Sequence, residues 1–480
     1  MNNSTDILLI YPRPSDTSPE KAPALSIFYP GAYLEEQGLN VEYVDLRFDS
    51  MGYMWGKIVN SPLVIGISTM TGTQLKEAIQ IARAIKDNSP RLPIVFGGIH
   101  PSLLPQQTIQ ADYIDYVIEG EGEKPLLNLV LYLKGETRNP YIKGVHSKEC
   151  NAYFHPESDS YLLGNDHPFP LTEKTKRYYA IANQHNHVRH LESRGCVYNC
   201  RYCYNKGFNN GTYREIPIEK WDKEVHLLRE HFGDSLTHLS LGDNIGSKQR
   251  FRDVFGVLWA NYLKGFLSLR CDFIDEEISS LIDPVWVDHI LFGAESGSDR
   301  VLKDVLGKYK SKQVIIDCAR LMNKTKVRTT YTFMCGVPGE TKEDFRESLD
   351  LARIIYKIDK RSGITFFVFT PYPGCDLYTE AIKNGFKEPE TLEAWERVSR
   401  TNNKYKSYNN MYFLSGLAWM GRKGHKTSQN FKGIARLKIL WLEILARIRI
   451  RFKWLNCFGI ENGLAQRIIT KQAIHNERLQ

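Results

Sequence analysis

The chain has 480 residues, of which 42% are hydrophobic and 25% charged, a composition typical of a globular protein with about two to four domains. No apolar stretch reaches the ~20 residues that span a bilayer, and residues 1–14 lack the basic flank and apolar core of a signal peptide. We therefore expect a cytoplasmic protein whose nine cysteines are free thiols or metal ligands. Residues 421–480 hold thirteen Lys and Arg against three Glu, so they carry +10 and leave −2 for the other 420 residues. This uneven charge gives no reason to expect nucleic acid as a partner.

Strand and helix patterns alternate through residues 1–140. The apolar runs are DILLIYP, NVEYVDL, LVIGIST, PIVFGG and YVIEGEG, and helical patterns such as residues 74–87 separate them. This alternation predicts an α/β domain with a doubly wound parallel sheet, whose ligands bind at the carboxyl ends of the strands. Small and polar residues fall at those ends: Pro12, Ser68, Thr69, Met70, Gly97, Gly98, His100, Glu119, Gly120 and Glu121.

A second alternation follows residues 141–188, which have weak patterning and are predicted to be a linker. Its apolar runs are HLESRG, HLSLGD, FLSLRCDF, HILFGAES, RTTYTFMCGV and ITFFVFTPYPG. These strand–helix units over residues 189–400 predict a partial (β/α)6 TIM-like barrel with its site at the carboxyl mouth. The strand pattern ends near residue 400, and residues 401–480 are predicted to form a basic helical extension.

Three cysteines, Cys196, Cys200 and Cys203, follow the first apolar run of this second alternation with the spacing C-x3-C-x2-C. Three thiols cannot all pair with one another as disulfides, but at this spacing they can converge on a metal. Structural zinc sites usually supply four ligands, and the four-cysteine spacings of ferredoxins are absent. Three thiolates on a four-iron cluster leave one iron without a protein ligand, and a small molecule can bind there. The other six cysteines are scattered, as small buried residues often are.

Around these cysteines, residues 188–389 resemble the radical S-adenosylmethionine superfamily. The resemblance rests on SRGCVYNCRYCYNKG, LSLGDN, FGAESGS, FMCGVPGET and TPYPGCDLY. It implies that the cysteines bind a 4Fe–4S cluster and that the open iron chelates S-adenosylmethionine, whose cleavage gives a 5′-deoxyadenosyl radical. The positions that match the cofactor-binding motifs are Tyr202, Asp243, Asn244, Glu295, Ser296, Gly336 and Pro338. Arg270 is either a partner of the cofactor's carboxylate or a member of a surface ion pair.

Fragments of residues 6–135 resemble the cobalamin-binding domain that precedes one large branch of that superfamily. They are YPRP, residues 23–31, FGGIHPSLLP and YVIEGEGEKPL. The resemblance implies that the strand-end residues given above contact cobalamin, with glycines that let a large flat ring approach closely. The Asp-x-His-x-x-Gly motif that supplies a cobalt ligand is absent, so we expect His100 to be a wall of the site and cobalt to have no protein imidazole. The alternatives are a simple turn at residues 97–100 and a domain that has lost cobalamin and remains as a scaffold.

The basic tail contains IARLKILWLEILARIRIRFKWLNCFGI, which predicts an amphipathic helix. Its apolar face holds Leu437, Trp441, Ile444, Ile448 and Leu455. One interpretation is a helix packed on the barrel with solvated basic edges. The other is an interfacial helix on the anionic inner face of a membrane, in which case the substrate is a lipid or a lipid-linked intermediate.

These features predict a radical enzyme that depends on cobalamin. The resemblance implies methyl transfer to an unactivated carbon of a small-molecule or lipid-linked substrate, in which methylcobalamin gives the methyl group and a second S-adenosylmethionine restores it. It also implies an external electron donor such as a flavodoxin or ferredoxin, and it assigns no catalytic residue beyond the cluster ligands. The alternatives are a radical cyclase or ring-rearrangement enzyme without methyl transfer and a non-catalytic corrinoid or cluster sensor.

Overall fold

The structure is a computed structural model. It describes residues 5–14, 22–148, 162, 164–183, 186–242, 245–398 and 433–451. The strands are β1 (Ile7–Tyr11), β2 (Val41–Asp45), β3 (Val64–Ser68), β4 (Ile94–Gly97), β5 (Tyr116–Ile118), β6 (Val145–Ser147), β7 (His187–Arg189), β8 (Ser193–Gly195), β9 (Tyr213–Glu215), β10 (His238–Ser240), β11 (Lys264–Leu269), β12 (Val287–Glu295), β13 (Arg328–Cys335) and β14 (Gly363–Val368).

Helices cover both sheets. They are α1 (Leu25–Glu36), α2 (Met51–Val59), α3 (Thr73–Asn88), α4 (Ile99–Leu103), α5 (Pro105–Ile109), α6 (Glu123–Leu133), α7 (Lys176–Ala182), α8 (Asn205–Phe208), α9 (Ile218–Phe232), α10 (Lys248–Ala260), α11 (Glu276–Leu281), α12 (Gln313–Thr325), α13 (Lys342–Ile358), α14 (Asp376–Lys383) and α15 (Gly433–Arg451).

The first sheet has the strand order β2-β1-β3-β4-β5-β6, and all of its strands are parallel except β6, which pairs antiparallel with β5. Every residue of β1 and β3 is buried, because helices cover both faces of the sheet and leave no side for polar residues. The predicted doubly wound α/β domain is therefore confirmed.

The second sheet has six parallel strands in the order β14-β13-β12-β11-β10-β7. Side chains along its strands point alternately to the two faces of the sheet, as an open barrel requires. In β13, Tyr331 and Phe333 are fully buried on the helix-covered face, whereas Thr332 and Met334 are half-buried on the inner face. The predicted partial barrel is confirmed.

The first barrel strand begins earlier than its apolar run predicts. Residues HLESRG were expected to supply it, but β7 is His187–Arg189, at the end of the segment interpreted as a linker. Only the last three residues of HLESRG are extended, and they form β8, which pairs antiparallel with β9. The run was misleading because a barrel strand and a hairpin strand follow each other within nine residues.

The helix α15 lies in the basic tail and presents an apolar stripe to solvent. Its exposed side chains include Ile434, Leu437, Trp441, Ile444 and Ile448, which recur every three or four residues. Leu442 is fully buried on the other side. Leu455 and the rest of the tail lie outside the described residues. In the part of the chain that the structure describes, no helix is both long and apolar enough to cross a membrane.

Candidate functional site

A cavity of about 430 Å³ lies between the two sheets and is lined by residues from both. The first sheet contributes Ser68, Thr69, Met70, Gly97, Gly98, Gly120 and Glu121, which are seven of the ten strand-end residues predicted from the sequence. The barrel side contributes Arg189, Leu191, Ser193, Arg194, Gly195, Tyr204, Phe208 and Asn209. The cavity also reaches Leu9, Gly66 and Ile118 within the first sheet, so it is deeper than a surface groove.

Main-chain geometry keeps the floor of this cavity open. Gly98 has φ +97°, and a Cβ there would lie 2.6 Å from the carbonyl oxygen of Thr69, so only glycine fits. A Cβ on Gly97 would meet only Ile118, another lining residue, at 3.8 Å. The Thr69 amide donates to the Gly97 carbonyl at 2.8 Å and fixes these two strand ends side by side. Gly98 therefore allows the two strand ends to pack closely, and Gly97 adds no side chain to the cavity that both residues line.

Three predicted strand-end residues do not line the cavity. The carbonyl of Pro12 accepts a hydrogen bond from the Gln74 amide at 2.9 Å. Glu119 lies 2.7 Å from Nε2 of His146.

His100, the third of these residues, was expected to be a wall of the site and faces elsewhere. Its Nδ1 lies 2.9 Å from the hydroxyl of Thr71, and its ring meets Trp395 edge-on at 5.6 Å. Burial lowers its pKa to about 4, so the imidazole is neutral near neutral pH.

The three predicted cluster cysteines lie on a loop between β8 and β9. Gly195, with φ +84°, turns the chain out of β8, and the Cys196 amide donates to the Thr212 carbonyl at 3.2 Å across the base of the loop. The side-chain amide of Asn205 donates to the Cys196 carbonyl at 3.1 Å, and its backbone amide lies 3.4 Å from the Cys203 sulfur. The same asparagine therefore fixes both ends of the cysteine segment.

The three cysteines of the loop are more exposed than the other described cysteines. Cys196, Cys200 and Cys203 are partly exposed, whereas the other described cysteines, Cys271, Cys318, Cys335 and Cys375, are buried. Burial raises the pKa of the Cys375 thiol to about 11, which opposes formation of a thiolate. Among the described residues, no three His, Cys, Asp or Glu side chains are grouped as ligands of a metal ion. A four-iron cluster binds each thiolate at a different iron, so its ligands need not meet at one point.

A buried polar group stands behind the cysteine loop. The Tyr202 hydroxyl donates to the Glu295 carboxylate at 2.9 Å, and the Lys308 ammonium lies 2.8 Å from the same oxygen. Burial first, and then the charge of Glu295, raise the pKa of Tyr202 well above its usual value, so the phenol keeps its proton. Glu295 has φ +63°, a region that non-glycine residues rarely adopt and that often marks functional sites.

The other predicted S-adenosylmethionine contacts have structural partners. Ser296 is fully buried, and its hydroxyl accepts from the Ser298 amide at 3.1 Å. Gly336 donates to Glu340 at 2.5 Å, and Pro338 is buried in the turn that follows. Asp243 and Asn244 lie outside the described residues.

Arg270 has partners that neither interpretation of the sequence included. Its guanidinium donates to both carboxylate oxygens of Asp272, at 2.8 and 2.6 Å, and to the Lys308 carbonyl at 2.6 Å. The remaining terminal nitrogen, Nη1, lies 3.2 Å from the sulfur of Cys200. Arg270 is only 5% exposed, so this is a buried contact with the cysteine loop and not a surface ion pair.

Buried ion pairs join the hairpin that carries the cysteines to the first sheet. Arg194 on β8 and Arg214 on β9 lie opposite each other in the hairpin register. Arg214 makes a two-point contact with Glu121 at 2.9 and 2.5 Å, while Arg194 contacts Glu121 at 3.1 Å and Glu123 at 2.7 Å. Burial opposes ionisation of Glu121, but the two arginines outweigh it and hold its pKa below the usual value.

Sequence analysis did not identify Lys308, Arg194, Arg214 or Asn205 as site residues. Lys308 lies thirteen residues after Glu295 without a motif around it, so the sequence carries no signal for its role. Arg194 is within the cysteine segment, and a buried ion pair there was predictable only once β5 and β8 were known to be neighbours.

Comparison with protein families matches the two halves of the chain separately. The B12 binding domain model matches residues 15–130, and the Radical SAM superfamily model matches residues 193–352. The chain belongs to the family of radical S-adenosylmethionine enzymes that carry a cobalamin-binding domain. The cofactors of this radical S-adenosylmethionine enzyme are a 4Fe–4S cluster, S-adenosylmethionine and cobalamin.

Individual relatives span most of this radical S-adenosylmethionine enzyme at low identity. An uncharacterized methyltransferase of Pyrococcus horikoshii is 25% identical over 79% of the chain and 83% of its own length. Cytidylyl-2-hydroxyethylphosphonate methyltransferase of Streptomyces wedmorensis is 23% identical over 76% of the chain and 79% of its own length. An anaerobic magnesium-protoporphyrin IX monomethyl ester cyclase of Rubrivivax gelatinosus is 24% identical over 78% of the chain and 69% of its own length.

Two solved structures share the fold. The cobalamin-dependent radical enzyme OxsB with aqua-cobalamin bound superposes with a TM-score of 0.73 at 17% identity, covering 92% of the chain and 71% of OxsB. The methyltransferase TsrM from Kitasatospora setae, with tryptophan and an S-adenosylmethionine analogue bound, gives a TM-score of 0.65 at 18% identity over 83% and 84% of the two chains.

The residues present fit these cofactors. Three partly exposed thiols occur together on one loop, while the other described thiols are buried, which suits a cluster that needs three thiolates. The cavity has a glycine floor and reaches between the strands of the first sheet, which suits a large ring with an extended substituent. No histidine is among the described residues that line this cavity.

The three loop cysteines can be tested as cluster ligands. Replacing Cys196, Cys200 and Cys203 with Ala should remove the broad brown absorbance of anaerobically reconstituted protein and reduce its iron and sulfide to background, since the thiolates bind the cluster. Matched single replacements of the buried Cys318 and Cys375 with Ala should leave iron and sulfide near the wild-type level. Near-normal iron and sulfide in the triple variant would exclude these cysteines as ligands.

Proposed function

We propose that this enzyme methylates an unactivated carbon of a small-molecule or lipid-linked substrate. The observation that carries the proposal is one cavity lined both by the strand ends of the cobalamin-binding domain and by Tyr204, Phe208 and Asn209, which follow Cys203 in the cysteine loop. Cobalamin in this cavity would lie beside the segment that carries the cysteines. Two of the relatives are methyltransferases by name, which supports this reaction class.

The bound cofactors supply the difficult chemistry, a radical that removes hydrogen and a methyl group that replaces it. The chain's own residues hold and separate these cofactors. Cys196, Cys200 and Cys203 would hold the cluster, and Glu295 with its neighbour Lys308 would bind charged or hydroxyl groups of S-adenosylmethionine. Because both ions of that pair are buried, they already sit in the low-dielectric environment where such contacts are strong.

The cobalamin-binding residues would act mainly through the backbone. Gly97 and Gly98 would let the ring approach the strand ends, and Ser68, held 2.9 Å from the Ser26 hydroxyl, offers an oxygen at the edge of the same cavity. Cobalt would have no protein imidazole, as the missing Asp-x-His-x-x-Gly motif implies. An external flavodoxin or ferredoxin would deliver the electron that starts each turnover.

A radical cyclase or ring-rearrangement enzyme is the second candidate, and the likeness to the Rubrivivax cyclase favours it. A cyclase needs no methyl donor, whereas a methylating enzyme must pass the methyl group of S-adenosylmethionine to the corrinoid. This difference is measurable before any substrate is known.

Methyl transfer to the corrinoid tests the proposal directly. Reduced, cobalamin-loaded enzyme supplied with S-adenosylmethionine carrying a 13C-labelled methyl group should give labelled corrinoid and an equal amount of S-adenosylhomocysteine, both measured by mass spectrometry. Enzyme without cobalamin is the control and should give neither. Release of 5′-deoxyadenosine without labelled corrinoid would favour the cyclase, and release of neither product would favour the sensor.

We also propose that α15 binds an anionic membrane surface. Its exposed stripe of Leu437, Trp441 and Ile444 has exposed cations at Arg436 and Lys438 beside it, which matches a surface with acyl chains below and lipid phosphates above. The surrounding tail is strongly basic, so electrostatic attraction would add to burial of the stripe. A lipid-linked substrate would then reach the cavity from the membrane.

Vesicle flotation tests this membrane contact. The enzyme should float with phosphatidylglycerol vesicles at low salt, and the double variant Trp441→Glu with Ile444→Glu should not, because it puts two negative charges in the stripe. The matched control Leu227→Glu alters an equally exposed leucine on α9 and should float like the wild type. If the wild-type enzyme ignores anionic vesicles, the helix packed on protein is the correct interpretation.

A further inference from the structure

Arg270 is buried where the barrel meets the cysteine loop, at the end of β11. Its planar group is fixed on several sides: Asp272 and the Lys308 carbonyl accept from its edge, and the ring of Tyr198 lies 3.9 Å from its central carbon. It also contacts a thiol of the cysteine loop, since the Cys200 sulfur lies 3.2 Å from Nη1. The arginine therefore cannot turn towards another partner without losing these contacts.

The charge of Arg270 is permanent and only partly compensated. A guanidinium stays protonated in proteins, so this charge does not depend on pH. Asp272 is the nearest counter-charge, and its side chain is 34% exposed against 6% for Arg270. Water screens the exposed carboxylate more than the buried guanidinium, so a positive field remains at the sulfur.

We propose that Arg270 donates a hydrogen bond to the Cys200 thiolate in the cluster-bound enzyme and raises the reduction potential of the 4Fe–4S cluster. One-electron reduction by an external donor adds a negative charge to the cluster, and a nearby buried cation with an N–H bond to a ligand sulfur stabilises the reduced form. This role rests on the proposed function of Cys196, Cys200 and Cys203 as cluster ligands. The pairing of Arg270 with the cofactor's carboxylate stays a separate prediction.

Two variants of opposite charge should move the potential in opposite directions. Arg270→Gln removes the cation, so the reduced cluster loses stabilisation and the potential becomes more negative. Asp272→Asn removes the counter-charge but keeps a side chain of the same size, so the potential becomes more positive. Arg270→Lys keeps the charge but lacks the planar fork, and its potential should lie between those of the wild type and Arg270→Gln.

A redox titration measures these shifts without any substrate. Each protein is reconstituted anaerobically, its iron and sulfide are determined, and the paramagnetic resonance signal of the reduced cluster is followed against potential without S-adenosylmethionine. The expected order of potentials, from most negative, is Arg270→Gln, Arg270→Lys, wild type and Asp272→Asn.

An Arg270→Gln variant with full iron content and a wild-type potential would overturn the proposal. If that variant does not retain a cluster, Asp272→Asn decides: an unchanged or more negative potential would overturn the proposal, and a more positive one would support it. Failure of the wild-type enzyme to bind a cluster would instead overturn the cysteine assignment, and this proposal with it.

Discussion

The buried ion pairs between Glu121 and Glu123 and the arginines of the cysteine hairpin are the constraint on which the site depends. Arg194 and Arg214 face each other across β8 and β9, and both reach the segment that follows β5. The cysteine loop begins at Cys196, only two residues after Arg194. The same contacts that satisfy two buried carboxylates therefore hold the cysteine loop beside the strand ends of the first sheet.

Electrostatics explains why this junction is specific. A buried pair offers little net stability over an apolar contact, but removal of one partner typically costs about 3–5 kcal/mol because the other charge is left buried. The hairpin can therefore pack only against a first sheet that places Glu121 and Glu123 opposite the two arginines. The ring of Tyr29 lies 4.9 Å from the Arg194 guanidinium, and its hydroxyl lies 3.4 Å from Nδ1 of the buried His190, so α1 is joined to the barrel through the same region.

Burial also keeps two histidines of this region, His100 and His167, neutral. His167, in the predicted linker, has its pKa lowered to about 3, first by burial and then by the charge of Arg194. His100, whose pKa burial lowers to about 4, lies behind the cavity floor. Neither imidazole is protonated near neutral pH, and neither lines the cavity.

Much of the fold was predictable because both sheets are parallel and covered by helices, so each strand appears as an apolar run between amphipathic segments. In the structure, a capping box of Thr341 and Asp344 begins α13. Strand β7 was not predictable, since its three residues HVR alternate a single apolar residue with polar ones and precede a more apolar hairpin strand. Local spacing was enough to predict the cysteines as candidate ligands, but the partners of Arg270 and Glu295 depend on which distant loops meet, and no local pattern records that.

We propose that cobalamin in the cavity between the two sheets lies close to the cluster on the neighbouring cysteine loop, and the magnetic interaction between the two cofactors measures this most directly. In enzyme that holds cob(II)alamin and the reduced cluster together, the cluster spin should broaden the cobalt lines and speed their relaxation. Enzyme with cob(II)alamin and an oxidised, diamagnetic cluster is the reference, and its cobalt lines should remain sharp. A doubly paramagnetic sample whose spectrum is the simple sum of two isolated signals would place the cofactors far apart and contradict the proposal.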